Sequence, residues 1–303
     1  MTARGRLRVA GAQYSLDAVA DLDAFARKLD RWVADGASTG ARLLLFPEYG
    51  AMEIAAVAGA EAASSLTRSL AAVADRLDAV DRIHVDAARR HGVYLLAASG
   101  PRRRADGAFV NAARLITPSG AVGVQDKIIM TPFEHAWGIV GGGPLRVFET
   151  AIGNLAIAIC YDSEFPLLVR AQVDAGADLL LVPSCTEFLS GWHRVRTGAS
   201  ARALENQIAA VTSPTIGFAP WSPAVDRNTG ASGIYVPPDK SLSLTGVVAE
   251  GAVDTPGWVP GDIDFDALAA LRAAGEMRNR TDWTLQPGAT VFAPGTVEVL
   301  RLD

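Results

Sequence analysis

Three short segments of this 303-residue chain each end an apolar run on a residue able to do chemistry: Glu48 in LLLFPEYG, Lys127 in VGVQDKIIM and Cys160 in LAIAICYDSEFP. A carboxylate, an amine and a thiol together suffice to attack a carbonyl-type carbon. The carboxylate removes the thiol proton, the thiolate attacks, and the ammonium holds the oxyanion that develops. Each residue alone also has a plainer role. A lone cysteine after a strand is usually a small buried hydrophobe, and most lysines are solvated. The surroundings of Cys160 argue for more. Tyr161-Asp162-Ser163-Glu164 are polar, and a helix with Pro166 in its first turn is expected next. A strand end that feeds a helix N-terminus is expected to favour thiolate. Glu48, if placed in a water-poor pocket, would have the raised pKa of a usable base. Cys185 has no comparable setting and reads as a packing residue near the site.

These residues need elements to position them. Arg6 to Ala12 reads as a strand, Leu22 to Val33 as an amphipathic helix, and Leu43 to Phe46 as a short strand apolar on both faces. Ala71 to Arg90 reads as one helix ending at Gly92, followed by a strand over Val93 to Ala98. The segments Phe109–Thr117 and Ala121–Gln125 flank a Pro-Ser-Gly turn and read as a hairpin, as do Leu145–Phe148 and Asn154–Ile159 around Gly153. A helix from Pro166 ends before Gly176. Then follow a strand over Asp178 to Val182, a helix over Arg196 to Gln207, a strand over Ile208 to Ser213, and a hairpin joining Gly233–Val236 to Leu242–Ala249. A short helix (Asp266 to Ala273) and a closing strand near Thr296 to Leu300 end the chain. Ile54 to Ala63 reads as a loop or weak helix over the active-site side, and Arg102-Arg103-Arg104 as a solvated loop. Strand–helix units framing antiparallel hairpins predict an α/β fold with mixed sheets in four α-β-β-α layers. No linker or repeat divides the chain, so one domain over residues 1–303 is expected.

Half of the residues are apolar, a fifth are charged and the net charge is −5. No basic block suggests nucleic acid or an anionic membrane as partner. Two cysteines do not make a disulfide framework. The N-terminus lacks the apolar core of a signal peptide, and no run is long enough to span a membrane, so a cytoplasmic protein is expected. The four histidines (His84, His91, His135 and His193) have no metal-ligand spacing, and Asp162 and Glu164 lack companions, so neither metal nor cofactor is expected. The aromatic residues Tyr49, Phe133, Trp137, Phe188 and Trp192 neighbour the chemical segments and could be either core or pocket wall.

With these residues in view, the chain resembles the carbon–nitrogen hydrolase, or nitrilase, superfamily over nearly its whole length. LLLFPEYG is similar to that family's general-base segment, DKIIMTPFE to its lysine segment, and AIAICYDSEFP to its nucleophile segment. DLLLVPSCTE, RALENQ and the tail Leu271-Arg272…Arg278…Asp282-Trp283 also match family segments. Within the superfamily the likeness is to a poorly characterised amidase-like branch whose members are sometimes fused to an acetyltransferase domain. The resemblance implies a nitrilase-like sandwich and gives Glu48, Lys127 and Cys160 the roles of base, lysine and nucleophile. Glu134 becomes the family's second glutamate, either holding Lys127 or taking part in proton transfer. The backbone N–H of Tyr161 would join Lys127 at the oxyanion, while Trp137, Glu187, Phe188 and Trp192 would meet a small amide. The helices at 166–174 and 196–207 look like the family's dimer-forming pair, which implies a homodimer. True nitrilases generally have Trp-Glu after the nucleophile; Tyr161-Asp162 followed by Phe165-Pro166 instead implies an amidase. An N-acyltransferase using the same thioester, a nitrile hydrolase and a non-catalytic binding protein are the alternatives.

Overall fold

A computed structural model of the chain describes residues 5–287, 289 and 297–303. Its strands are β1 (Arg6–Ser15), β2 (Leu43–Leu45), β3 (Tyr94–Arg103), β4 (Phe109–Ile116), β5 (Val122–Asp126), β6 (Leu145–Thr150) and β7 (Gly153–Ile157). They continue with β8 (Leu179–Ser184), β9 (Ala209–Phe218), β10 (Arg227–Asn228), β11 (Gly233–Tyr235), β12 (Val247–Glu250), β13 (Gly257–Asp264) and β14 (Val297–Arg301). Thr296, expected to begin the last strand, lies outside the described residues. The helices are α1 (Leu22–Ser38), α2 (Ala60–Ala63), α3 (Leu66–Ala74), α4 (Leu77–His91), α5 (Pro132–Ala136), α6 (Pro166–Asp174), α7 (Leu189–Asn206), α8 (Phe265–Ala274) and α9 (Asn279–Asp282).

The strands run in the order β14-β6-β7-β8-β9-β1-β2-β3-β4-β5 through one large mixed sheet. It has two halves, joined where the end of β1 pairs with β9 at Tyr14–Thr215 and Ser15–Ile216. The alternation of side chains along β1 and β2 builds the layers. Val9, Leu43 and Leu45 face the other half of the sheet and pack in one core with Leu155, Ile157, Leu179, Leu181 and Val211. Ala10, Ala12, Leu44 and Phe46 face outward into a second core with Phe25, Leu29 and Val33 of α1 and Val80, Ala87 and Ala88 of α4. Sheet packs on sheet and helices cover the outer faces, which is the α-β-β-α arrangement expected.

Several details differ from the sequence reading. The helix expected over Arg196 to Gln207 begins at Leu189. Of the strand expected over Leu242 to Ala249 only β12 forms, because the residues before it turn. The helix expected over Ala71 to Arg90 is two, α3 and α4, broken at Asp75 and Arg76. One straight helix could not cover both its neighbours, because α3 packs on β3 and the turn after β2 while α4 packs on α1. The antiparallel partner of β1, β13, carries Pro260 and Gly261 and shows no strand pattern; proline is tolerated because β13 pairs only with β1 in this sheet. The arginine trio is not a solvated loop. Arg102 and Arg103 end β3, and Arg102 binds both oxygens of buried Asp126 at 2.9 and 2.7 Å. Ile54 to Ala63, expected as a loop or weak helix, is helical but belongs to two elements: a 3-10 helix over Gly50–Ala58, whose first six residues are buried, and α2.

Candidate active site

Four chain segments converge on one buried ion cluster. The first leaves β2 through Phe46 and Pro47 to Glu48, which is 1% exposed. Tyr49 then adopts a left-handed φ of 54°. Ser99 of β3 fixes this turn from both sides. Its N–H donates to the Pro47 carbonyl at 3.0 Å, and its hydroxyl accepts the Tyr49 N–H at 3.1 Å. The following 3-10 helix is anchored by Glu53, which is fully buried and accepts from Tyr14 Oη at 3.0 Å, from the Asp17 N–H at 2.7 Å and from Lys28. Burial raises the Glu53 carboxyl to about 7 despite the Lys28 charge.

The second segment leaves β5 at Lys127, whose N–H donates to the Asn111 carbonyl of β4 at 2.8 Å. The third is α5, which begins with Pro132 and is closed by a capping box between Thr131 and Glu134. The box turns the Glu134 carboxylate back towards Lys127. Lys127 Nζ donates to Glu48 Oε1 at 2.8 Å and to Glu134 Oε2 at 2.7 Å. Tyr49 Oη donates to Glu134 Oε1 at 2.7 Å.

The fourth segment leaves β7 and turns sharply at Cys160, whose φ is 49°. A non-glycine residue held in the left-handed region is strained, and such strain collects at functional turns. The turn is braced from behind. Ser163 Oγ donates to the Cys160 carbonyl at 2.6 Å, and Arg202 of α7 donates to the Ser163 carbonyl at 3.2 Å. Only glycine lets α7 come this close, since a Cβ at Gly198 would stand 2.9 Å from the Ser163 oxygen. Asp162 then joins nucleophile and lysine segments. Its carboxylate accepts the N–H of Ile128 at 3.1 Å and of Ile129 at 2.8 Å. The Cys160 thiol donates to the Cys185 carbonyl at 3.8 Å and lies close enough to the Glu48 carboxylate for each to shift the other's titration.

Electrostatics follow from burial. Desolvation raises the Glu48 carboxyl to about 7, against the pull of Lys127. Burial alone would lower Lys127, but the charges of Glu48 and Glu134 overcome it and hold the amine well above its ordinary value. Burial alone would raise Glu134, but Lys127 wins and the carboxyl is lowered. Burial, reinforced by the nearby Glu48 charge, pushes the Cys160 thiol up. The expectation of a helix-stabilised thiolate is therefore wrong. The turn after Cys160 is a five-residue 3-10 helix, α6 starts only at Pro166, and desolvation dominates. A neutral thiol beside a carboxylate titrating near neutrality is a base–nucleophile pair at rest.

The remaining candidates are more dispersed. Trp137 meets the Tyr49 ring edge-on at 6.1 Å. Tyr161 packs its ring against Phe165. Glu187 and Phe188 are exposed, with Arg227 over the Phe188 ring. Trp192 is buried and donates its indole N–H to the Ala231 carbonyl at 2.9 Å. His193 and Arg194 are exposed, and Arg194 pairs with Glu164 at 3.3 Å. Cys185 sits behind Cys160 with its thiol on Asn228 Oδ1 at 3.1 Å. His84 is buried and neutral, in the α1–α4 layer and away from this chemistry. Among the described residues no three His, Cys, Asp or Glu side chains are grouped to hold a metal ion, and no helix is long and apolar enough to cross a membrane.

Two residues of the cluster escaped the sequence reading. Asn111 donates to Glu48 Oε1 at 3.0 Å, and Asp162 supplies the clamp described above. Asn111 could have been found, because it is a lone amide inside the apolar run Phe109-Val110-Asn111-Ala112-Ala113, where a buried polar group needs partners.

Comparison with known proteins finds a matching family and matching folds. The family model for carbon-nitrogen hydrolases matches residues 8–250. The probable hydrolase YhcX of Bacillus subtilis is 31% identical over 277 residues, which are 91% of this chain and 53% of that protein. The chain thus spans about half the length of that relative. A carbon-nitrogen hydrolase from Helicobacter pylori G27 superposes with a TM-score of 0.73 at 17% identity, covering 89% of this chain and 93% of the other. An amidase from Nesterenkonia sp. AN1, a mutant of which shows the result of Michael addition of acrylamide at the active site cysteine, gives a TM-score of 0.65 at 26% identity. That match covers 88% of this chain and 97% of the amidase.

Proposed function

Because this chain belongs to the carbon–nitrogen hydrolase family, we propose that it is a thiol amidase that cleaves the carbon–nitrogen bond of a small-molecule amide through a thioester on Cys160. One observation carries this reading: Glu48 is shared by the Cys160 thiol and the Lys127 ammonium in a site nearly closed to water. Glu48 takes the thiol proton and the thiolate attacks the amide carbon. Lys127, with the backbone N–H of Tyr161, holds the oxyanion of the tetrahedral adduct. Protonated Glu48 gives its proton to the nitrogen, and ammonia or an amine leaves. Glu48 then accepts a proton from water as the water attacks the thioester, and returns it to the sulfur as the acid departs, so that the thiol and the carboxylate both reform. A carboxyl near 7 suits this alternation of base and acid. Glu134 stays ionised and fixes Lys127.

The likeness to the Nesterenkonia amidase supports an amide substrate, as does Tyr161-Asp162 after the nucleophile. A nitrile would form a thioimidate that must lose ammonia before water can finish the reaction. An amide needs only protonation of its leaving nitrogen. Matched amide and nitrile pairs are therefore expected to release ammonia faster from the amide member. Faster release from nitriles across the set would refute the amidase reading. Intact-mass measurement after mixing with an amide library would show the acyl increment on Cys160. Recovery of N-acyl product from an added amine would instead indicate acyl transfer.

The same reading extends to a homodimer through α6 and α7, whose outward residues include Leu167 and Leu204, 49% and 42% exposed. Sedimentation at micromolar concentration is expected to show a species of twice the chain mass or more; a monomer alone would contradict it.

A further inference from the structure

Asn111, on β4, is fully buried, and its side-chain amide is divided between two carboxylates. Nδ2 donates to Glu48 Oε1 at 3.0 Å and reaches Glu134 Oε1 at 3.4 Å. Its Oδ1 is equally buried and has no hydrogen-bond partner. A buried acceptor left empty is unfavourable. Turning the amide over would be worse, because Oδ1 would then face two carboxylate oxygens. The orientation is thus dictated by Glu48 and Glu134, and the unsatisfied oxygen is its consequence. The buried amide oxygens of Asn154, Gln172 and Asn206 also lack a partner, so a role for Asn111 rests on the donor it presents rather than on its empty oxygen.

That role lies in how the two oxygens of Glu48 are used. Oε1 receives both Lys127 Nζ, at 2.8 Å, and Asn111 Nδ2. Two donors occupy both lone pairs of that oxygen. We propose that Asn111 is a positioning residue for Glu48: together with Lys127 it occupies Oε1 and so reserves Oε2 for the proton that Cys160 gives up. This rests on the reading of Glu48 as general base. With Lys127 alone the carboxylate could turn about its terminal bond and exchange its oxygens. With two donors from opposite segments, one after β5 and one on β4, Oε1 stays the acceptor through the cycle. The proton then moves from Sγ to Oε2 and on to the leaving nitrogen; a second proton moves from water to Oε2 and from Oε2 to Sγ as the acid departs.

Asn111 also biases the titration of Glu48. An N–H donated to a carboxylate favours the ionised form, so its loss raises the pKa. The other ionisable groups facing Glu48 are Lys127 after β5, Glu134 on α5, Cys160 after β7, Cys185 after β8 and Tyr49 beside it; Asp162 acts on Lys127. Replacing Asn111 removes none of these groups; Glu134 loses only the longer contact at 3.4 Å and keeps Lys127, Tyr49 and Thr131.

The test follows alkylation of Cys160 by iodoacetamide, and kcat/KM, from acid to alkaline pH in the wild type and in Asn111→Leu. In the wild type the alkylation rate is expected to rise as Glu48 ionises near neutrality. In the leucine variant the rise should move up by about one pH unit, giving roughly a tenfold lower rate at pH 6 that recovers towards the wild-type rate in alkali. Asn111→Ser, too short to reach either carboxylate, gives the same readout should the leucine variant fail to fold. An unmoved limb in a folded variant, or an equal loss at every pH, would overturn the assignment of Asn111 alone. A wild-type rate with no rise through neutral pH would instead refute Glu48 as base, and the proposal with it.

Discussion

Cys160→Ala is expected to remove turnover, by a factor on the order of 10⁴ or more, since no other group can form the acyl intermediate. The fold should survive. The thiol adds few packing atoms at the end of β7, and alanine meets the same left-handed backbone at φ 49° that cysteine does. Cys160→Gly gives a second, independent readout. Glycine accepts positive φ without penalty, so its melting temperature should equal or exceed that of the alanine variant, unlike a glycine placed in an ordinary strand. Both variants keep Glu48, Lys127 and Glu134 in place, so any activity they lose belongs to the sulfur. Labelling separates the two cysteines. Cys160 has Glu48 within reach as a base, whereas burial pushes the Cys185 thiol up to about 12 and its sulfur faces Asn228. Iodoacetamide should therefore modify Cys160 first. Activity in Cys160→Ala, with Cys185 reacting first, would show that the nucleophile has been misplaced.

What could be read in the chain beforehand, and what could not, follows from the range of the forces involved. The short strand at Leu43 is apolar on both faces, which is a local signal, and its β2 is buried on both sides. Glu48, Lys127 and Cys160 stand at strand ends because a buried apolar run must stop where the chain turns towards the site. The meeting of Glu48, Lys127 and Glu134 within 2.7–2.8 Å, by contrast, depends on β2, β5 and α5 coming together, and no spacing encodes it. The thiolate expectation failed for the same reason. Helix onset was visible in Pro166, but the desolvation that keeps Cys160 protonated comes from neighbours distant in sequence. Asp162 looked like an isolated acid and is a clamp between two segments 33 residues apart. The strand β13 went unread because its partner is β1, at the other end of the chain, and because β13 is an edge strand, which tolerates a proline. Long-range pairing and burial decide these features, and neither is a property of a window of sequence.

Lys127→Met is expected to damage both activity and stability, and the pH dependence of the stability loss distinguishes charge from shape. Methionine nearly conserves volume, so little is lost in packing. Loss of an oxyanion donor costs about 10²–10³ in rate. Glu48 and Glu134 would then lie buried together without a counter-charge, and breaking a buried pair in this way costs about 3–5 kcal/mol. The two carboxylates would respond by holding protons. Glu48, already at about 7 in the wild type, would rise further and be protonated when it is needed as base. In the wild type the lowered Glu134 carboxyl contributes stability above its unfolded value of 4.5, and that contribution disappears as the pH falls through the folded value. In the variant both carboxyls are raised, so their burial is tolerated in acid and becomes costly as the pH rises through their folded values. The difference in melting temperature between wild type and Lys127→Met should therefore be small near pH 5 and widen towards pH 8. A constant difference across that range would mean that the lysine acts by shape, and full activity in the variant would remove it from the reaction altogether.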